Sequence, residues 1–455
     1  MKPRRMALSP RGMNLLKRRG WQVALSTVML AGLAFTAVAG WIGTPIGSRN
    51  FAIAFVWIGW FAALIILLIP IFGRGWCSIC PIPLVGDWVQ RGAVLGPQRR
   101  QPRGLGLRVP AILRNMWTQN AAFALLALFS ATILTSPRIT AAALVGMFVL
   151  ATGLSLVFER RAFCRYVCPM GGFIGLYSQV APVEMRVDSR ATCAACQTKA
   201  CYNGSPEGYG CPWGVFPASL TRNNYCGLCL ECLRTCPNDN LTVRVRPVAA
   251  DLAVPSTRHD EAFKSLIMLG SAMVYAAVLL GPWSAFKNAA FSTGSLAWLV
   301  YAAVFLLLVL GVLPGSLWLV GHFSQRLTPR GETTTANPSA RAGSAFAAFA
   351  TPLVPLGLAF WAAFSLTFLL TNGSYVLSSL SDPLGIGWNL IGTAGVPWQP
   401  MLAGAIAPLQ AAVLVVGFVW ATRVARSVTA RLKLPSVPLI GFLFLPTVVM
   451  MWLLI

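Results

Sequence analysis

The sequence predicts a polytopic α-helical membrane protein with a cysteine-rich domain inserted between its helices, and three observations carry that prediction. First, 56% of the 455 residues are hydrophobic and only 11% are charged, which is too apolar for a water-soluble chain. Second, nine apolar stretches are long enough to cross a hydrocarbon core of about 30 Å, which takes roughly 20 residues of helix. Third, eight of the twelve cysteines lie between Cys193 and Cys236.

The distribution of charge over these stretches predicts the membrane topology. The tail and loops on one side of the predicted membrane contain 33 of the 36 Lys and Arg residues. The loops on the other side contain only Arg49, Arg138 and Lys287. By the positive-inside rule the basic side faces the cytoplasm. We therefore expect a multi-pass protein of the bacterial cytoplasmic (inner) membrane, with the N-terminus and the cysteine-rich domain cytoplasmic and the C-terminus periplasmic. The nine stretches lie at about Trp21–Gly43, Phe51–Phe72, Trp117–Thr135, Ile139–Phe158, Phe263–Gly281, Leu296–Val320, Phe346–Leu370, Met401–Ala421 and Val437–Leu454.

The net charge of +24 follows from the same topology. In a soluble chain it would indicate nucleic-acid binding, but here the basic residues flank the apolar stretches, where they orient helices and contact lipid headgroups. We expect membrane lipid as a partner and no nucleic acid. The first stretch contains Ala37-Val38-Ala39, which resembles a signal-peptidase site. It exceeds the usual signal core of about 7–15 residues, so we expect an anchor helix.

The segment Cys193–Cys236 has the cysteine spacing of a double iron–sulfur module. Its second half is a C-x2-C-x2-C-x3-C-P run, and its first half follows the same plan with a looser third and fourth spacing. In such a run three close thiolates hold one cluster and the fourth reaches the other. The alternating stretch Leu241–Arg246 is expected to close a ferredoxin-like fold as a short strand. We therefore predict one [4Fe–4S] cluster on Cys193, Cys196, Cys201 and Cys236, and a second on Cys226, Cys229, Cys232 and Cys211.

Two other interpretations of the eight cysteines fit less well. A structural zinc site uses two C-x2-C pairs, which would leave the third cysteine of each run without a role. A disulfide framework needs an oxidising compartment, whereas the charge distribution places this segment in the cytoplasm.

The remaining four cysteines form two copies of one motif. Each copy consists, in order, of an arginine, a small residue, an aromatic residue, a cysteine, a short spacer and Cys-Pro. Each copy lies at the end of an apolar helical hairpin. The first copy continues to Gly86 and Gln90, and the second to Gly175 and Gln179. This repetition predicts a duplicated four-helix unit whose cysteine pairs meet at one membrane depth. The two copies are Arg74-Gly-Trp-Cys77-Ser-Ile-Cys80-Pro81 and Arg161-Ala-Phe-Cys164-Arg-Tyr-Val-Cys168-Pro169.

Three roles stay open for Cys77, Cys80, Cys164 and Cys168. They are ligands of an additional cluster or metal, redox-active dithiols, or structural thiols, since paired cytosolic cysteines favour metal or redox use. Nearby arginines are suited to stabilising thiolates or an anionic cluster, and they also serve as positive-inside anchors. These arginines are Arg74, Arg160, Arg161 and Arg165.

Two Cys-Pro motifs after apolar hairpins, followed by a double-cluster segment, resemble the membrane polyferredoxin family. That family includes NapH of periplasmic nitrate reductase systems, the membrane half of NosR, and CcoG. The resemblance covers about Trp21–Arg246 and implies electron transfer that feeds or activates a partner oxidoreductase, with quinol as one donor. The first motif departs from the family pattern, since it is C-x2-C-P where C-x3-C-P is expected. The sequence also begins without a flavin-binding domain, and the five stretches after Phe263 lie beyond the shorter NapH plan.

The predicted domain order follows the motifs. Residues 1–158 hold the duplicated hairpins with the first Cys-Pro motif, and residues 159–250 hold the second motif and the ferredoxin-like domain. Two helices follow in 251–325, then a polar linker at 326–345. Residues 346–455 hold three helices and a long periplasmic loop at 372–400.

The expected function is electron transfer between a quinone pool or redox partner and an oxidoreductase. No nucleophile–base pair or phosphate-binding loop marks a catalytic residue, so we expect an electron-transfer component rather than a stand-alone catalyst. An alternative is a maturation or assembly factor that supplies electrons to reduce a metal or thiol in another enzyme. A solute transporter is disfavoured by the scarcity of ionisable residues in the apolar stretches. No haem is expected, because His259 and His322 are the only histidines and lie near the ends of different helices.

Overall fold

The computed structural model describes residues 6–7, 10–95, 104–327 and 345–455. The predicted polar linker at 326–345 lies almost wholly outside these described residues.

Long apolar helices dominate the described chain. Eight of them are long and apolar enough to cross a membrane, which confirms a multi-pass membrane protein. The eight are Gly20–Ile42, Phe51–Ser78, Pro137–Val157, His259–Leu279, Leu296–Arg326, Ala345–Ser381, Ala403–Leu432 and Val437–Leu454.

The predicted span Trp117–Thr135 is not one continuous helix. It consists of the helices Trp117–Leu128 and Ser130–Ile133, and Phe129 between them has φ −95° and ψ 14°. The hydroxyl of Thr132 donates to the Phe129 carbonyl at 3.0 Å. Ser and Thr side chains compete with the helical hydrogen-bond ladder in this way. The apolar composition of this segment predicted one continuous helix, and nothing in that composition predicted the break.

The helix Ala345–Ser381 runs beyond the predicted end at Leu370. The loop expected at 372–400 therefore begins at Asp382. The carboxylate of Asp382 accepts hydrogen bonds from the backbone N–H groups of Ile386 at 3.1 Å and Gly387 at 2.8 Å. Gly387 has φ +97°, a conformation that glycine adopts without steric cost.

The chain divides into two compact units, of which the first comprises Met1–Val38, Leu67–Gln119 and Ala142–Asp251. This unit contains all twelve cysteines. Its antiparallel sheet has the order β1 (Met6–Ala7), β3 (Leu241–Val245) and β2 (Val183–Val187). Met185 is paired with Val243. Strand β3 confirms the strand expected at 241–246, whereas β1 has no alternating pattern that would have indicated it.

Short helices of the first unit pack on this sheet and carry the cysteines. A buried apolar cluster joins sheet and helices; its members are Met185, Cys201, Leu230, Leu233, Leu241 and Val243. The short helices of the unit include Pro10–Lys17, Leu84–Arg91, Pro169–Tyr177, Arg190–Ala195, Ala200–Asn203 and Glu231–Thr235.

The second unit comprises Ala39–Ile66, Asn120–Ala141 and Leu252–Ile455. At its centre Trp361 is 1% exposed, and its indole N–H donates to the Met268 carbonyl at 3.0 Å. Four aromatic rings meet Trp361 edge to face, with centroids 5.0 to 6.3 Å away; they belong to Phe61, Phe123, Tyr275 and Phe364. Such pairs contribute beyond their buried area. The short helix Ser284–Phe291 also belongs to this unit.

Replacing Trp361 with Ala is expected to destabilise the protein strongly. The loss should be on the order of 3–5 kcal/mol, because removal of a large buried ring leaves a cavity. The measurement is the thermal unfolding midpoint of the detergent-solubilised protein, with Trp388→Ala as the control because Trp388 is 44% exposed. Equal shifts in the two variants would contradict the central role of Trp361.

Candidate iron–sulfur centres

The first set of four cysteines surrounds the ends of three short helices. Cys193 lies in Arg190–Ala195 and Cys196 directly follows it; Cys201 lies in Ala200–Asn203 and Cys236 directly follows Glu231–Thr235. Burial raises the pKa of Cys201 to about 11, and Cys236, Cys193 and Cys196 add to that rise. A like charge nearby disfavours a second thiolate. The structure therefore brings these four predicted ligands together.

Asn240 organises this first set. Its side-chain amide donates to the Cys193 sulfur at 3.2 Å, and its backbone N–H donates to the Cys236 sulfur at 3.4 Å. Cys196 is partly exposed, and the backbone N–H of Lys199 and the Thr198 hydroxyl lower its pKa. Hydrogen bonds to sulfur favour the thiolate and tune a bound cluster. The role of Asn240 was not predicted from the sequence, in which only its position shortly after Cys236-Pro237 indicated it.

The second set comprises Cys211, Cys226, Cys229 and Cys232. Burial raises the pKa of Cys232, and Cys229, Cys226 and Cys211 add to the rise in that order. Burial and then Cys211 raise the pKa of Cys229 to about 12. Cys201 of the first set also contributes to the rise at Cys232, so the two sets are neighbours.

The loop of the second set holds a strained backbone. Leu228 has φ +48° and Leu230 has φ +62°, in a region that side chains other than glycine seldom occupy. The backbone N–H groups of Leu228 and Glu231 form hydrogen bonds to Cys226 and Cys229. The left-handed residues thus fold the loop back so that its N–H groups face its own sulfurs, and such strain is typical of functional loops.

The third set, here called the hairpin set, comprises the cysteines of the two Cys-Pro motifs. Burial raises the pKa of Cys80, and Cys77 and Cys168 add to it. Burial and then Cys168 raise the pKa of Cys164. The two pairs therefore meet, as their repetition predicted.

Local helix geometry positions the second pair of the hairpin set. Cys164 lies in the π-helical turn Phe163–Val167, and Cys168 precedes the helix Pro169–Tyr177. The N–H of Gly171, in the first turn of that helix, donates to the Cys168 sulfur at 3.2 Å. π-Helical turns are frequent at functional sites, and a helix N-terminus favours a thiolate.

Among the four predicted arginines, Arg161 forms a buried ion pair. Its guanidinium is 2.6 Å from the carboxylate of Asp87, and it donates to the Cys77 carbonyl at 2.7 Å. Burial lowers the pKa of Arg161, and the charge and hydrogen bond of Asp87 together with Cys164 and Cys229 raise it, so the net shift is upward. Asp87 was missed from the sequence, although it lies between Gly86 and Gln90 of the repeated motif.

The other three arginines contact the cysteine-rich loops. Arg160 donates to the Cys211 carbonyl at 3.1 Å, and Arg165 donates to the Gly214 carbonyl at 3.0 Å. Arg74 is buried and lies 4.1 Å from the ring centre of Trp213. It donates to the Asn224 carbonyl at 2.5 Å, whereas its Nε and Nη2 atoms have no acceptor within the described chain.

The donor chemistry of these sites fits iron–sulfur clusters. Each set offers four thiols and no other ligand type, which is the usual donor set of a [4Fe–4S] cluster. In the described ranges no three His, Cys, Asp or Glu side chains converge closely enough to hold a single metal ion. The two unsatisfied guanidinium nitrogens of Arg74 match an anionic group beside the hairpin set.

Comparisons with known proteins agree with this chemistry. The model of a family described as "4Fe-4S binding domain" matches residues 53–102 and 140–183, and each matched segment contains one Cys-Pro pair of the hairpin set. The chain is 30% identical over 164 residues to the methylamine utilization ferredoxin-type protein MauN of Paracoccus denitrificans (strain Pd 1222). That alignment covers 33% of this chain and spans about half (55%) of the relative. No solved structure matches the chain.

Fold, site and comparisons together define an iron–sulfur, ferredoxin-like protein with transmembrane helices, and they support a role in electron transfer. The closer relationship to NapH, NosR or CcoG stays a prediction.

Replacing Asp87 with Asn is expected to destabilise the protein by about 3–5 kcal/mol, because it leaves the buried guanidinium of Arg161 unpaired. The thermal unfolding midpoint measures this. The matched control is Asp239→Asn, whose ion pair with Lys17 is solvent-exposed and should contribute less than about 1 kcal/mol. A midpoint for Asp87→Asn equal to that of the control would show that Arg161 is stabilised by other groups.

Proposed function

We propose that this protein is an electron carrier of the bacterial cytoplasmic membrane, which relays electrons between a quinone pool or redox partner and an oxidoreductase. One observation carries the proposal: all twelve cysteines fall into three sets of four. Two sets are the [4Fe–4S] ligands predicted from the ferredoxin-like segment. The third is the hairpin set, for which a further cluster is now favoured over a dithiol or a structural role.

Two findings favour that further cluster. The matched family is described by 4Fe-4S binding, and its matched segments contain the hairpin cysteines. The buried nitrogens of Arg74 also lack an acceptor that an anionic cluster would supply. A dithiol role would leave those donors unsatisfied, which is costly in a buried site.

When bound, each [4Fe–4S] cluster takes up and releases one electron. The residues of the chain position the sulfurs and tune their charge. Burial excludes water, the N–H groups of Gly171, Leu228 and Glu231 donate toward sulfur, and the arginines offset negative charge. Hydrogen bonding and burial are the main means by which a protein sets the reduction potential of such clusters.

The orientation of the protein in the membrane is part of the proposal. The broken segment Trp117–Ile133 is proposed to cross the bilayer together with the eight long helices, since a ninth crossing keeps the basic connections on one side. The domain order follows the sequence prediction, with both ferredoxin-like clusters cytoplasmic. The hydroxyls of Thr132 and Thr135 donate to backbone carbonyls around the break, as membrane helices require where the helical ladder is interrupted.

Anaerobically purified protein is expected to contain about twelve iron atoms and twelve acid-labile sulfides per chain, from four iron atoms per cluster. The measurement combines elemental analysis with EPR of the reduced protein. Cys164→Ala should lose about four iron atoms and one EPR signal, and Cys193→Ala should lose a different signal.

About eight iron atoms in the native protein would restrict it to the ferredoxin-like clusters, and zinc without iron would refute the redox function. The assembly-factor alternative is separated by the same Cys164→Ala variant. A relay loses electron throughput to partner molecules already made, whereas an assembly factor leaves their turnover unchanged and lowers the number of active molecules formed.

Reporter fusions are expected to place Ser136 and Ile455 in the periplasm and Lys433 in the cytoplasm, because each apolar segment reverses the side. Alkaline phosphatase should be active after Ser136 and Ile455, and green fluorescent protein should fluoresce after Lys433. A cytoplasmic signal at Ser136 would mean that the broken segment does not cross the membrane.

A further inference from the structure

The guanidinium of Arg74 lies beside the hairpin set. Arg74 is 6% exposed and lies in the last turn of Phe51–Ser78. A Cβ added at Gly171 would be 3.5 Å from its Nη2 atom, and one added at Gly175 would be 3.0 Å from its Nη1 atom. Gly171 is also the residue whose N–H donates to the Cys168 sulfur. The absence of a side chain at Gly175 therefore makes room for the guanidinium, and Gly171, in the same helix, is in van der Waals range of it.

On its other side Arg74 reaches the second set through Trp213. The guanidinium is 4.1 Å from the centre of the Trp213 ring, and Trp213 is 2% exposed. Trp213 lines a narrow cavity of about 30 Å³ together with Cys211, Cys226, Cys229 and Cys232. A Cβ on Gly227 would lie 2.0 Å from the indole nitrogen, so the ring packs directly against the loop that carries Cys226.

The charge of Arg74 has no carboxylate partner within the described chain, unlike that of Arg161. Its only hydrogen bond there is to the Asn224 carbonyl, and its Nε and Nη2 atoms have no acceptor. A buried cation is costly unless an opposite charge lies nearby. The unpaired guanidinium thus lies between Gly171, whose N–H donates to the Cys168 sulfur, and Trp213, whose ring packs against the loop that carries Cys226.

Building on the proposed function, we propose that Arg74, stacked on Trp213, is the shared positioning residue that couples the hairpin cluster electrostatically to the cluster of the second set. Its positive charge stabilises the added electron on either cluster. It therefore raises both reduction potentials together, relative to the potential of the first-set cluster. The first set takes its hydrogen bonds from Asn240, Thr198 and Lys199 instead, and its potential is independent of Arg74.

The test is an EPR-monitored redox titration of the full-length protein and its Arg74→Gln variant, after iron analysis of each. Signals are assigned with Cys164→Ala and Cys193→Ala, each of which removes one cluster. In Arg74→Gln the hairpin and second-set potentials should become more negative, each by about tenfold in the equilibrium constant of reduction, or 59 mV for one electron. The potential of the first-set cluster should stay unchanged and serves as the internal reference.

Two further variants separate charge from packing. Arg74→Lys keeps the charge and should retain both potentials, whereas an effect of packing alone would shift them. Arg423→Gln removes an exposed guanidinium of the second unit, which contains none of the cysteines, and should move no potential. If Arg74→Gln loses iron, Arg74→Met replaces it as a neutral side chain of similar length.

The iron content of the native protein tests the proposed hairpin cluster, whereas the reduction potentials of the variants test the role of Arg74. Fewer than about twelve iron atoms in the native protein would remove the hairpin cluster and with it that part of the proposed function. A full iron complement with unchanged potentials in the neutral variant, or with a shift in only one cluster or in all three, would overturn the coupling role of Arg74 and leave the electron carrier intact.

Discussion

The structure of the first unit depends on one electrostatic constraint, the burial of sulfur groups beside one another. Burial and neighbouring thiols raise the pKa values of Cys80, Cys164, Cys229 and Cys232. Thiolates so arranged repel each other in a medium that solvates charge poorly. Positive charge must therefore be supplied, by the iron of a cluster, by arginine or by N–H dipoles. The surrounding helices and loops are arranged so that each of these sources reaches the sulfurs.

Local geometry supplies part of the positive charge that the sulfurs of each set need, through N–H groups directed at them. In the hairpin set a helix N-terminus directs the Gly171 N–H at Cys168. In the second set, left-handed residues fold the loop around its own sulfurs. In the first set the backbone and side chain of Asn240 serve two cysteines at once. Different local structures therefore reach the same result, which is a donor aimed at a buried sulfur.

The buried arginines supply further positive charge near the sulfurs, and two of them differ in whether a carboxylate neutralises that charge. Arg161 is neutralised by Asp87, so its contribution to the surrounding field is reduced and its role is to fix the Cys77 carbonyl. Arg74 has no such carboxylate, and its stacking on Trp213 keeps its charge available to both neighbouring sets. An ion pair and an unpaired cation thus coexist near the same cysteines. The ion pair stabilises the fold, and the unpaired cation is suited to act on electron transfer.

The sequence by itself determined the features that depend on composition and short spacing. Apolar length identified the membrane helices, and the cysteine spacing of Cys193–Cys236 predicted the eight ferredoxin-type cysteines and their division into two groups of four. Strand Leu241–Val245 followed from its alternation. Only the tertiary structure decided which distant residues serve the sites: the positions of Asp87, Trp213 and Asn240 in the sequence do not show their partners Arg161, Arg74 and Cys193, which lie far away along the chain. The break at Phe129 was likewise hidden, because hydropathy measures how apolar a segment is and is insensitive to side-chain hydrogen bonds that interrupt a helix.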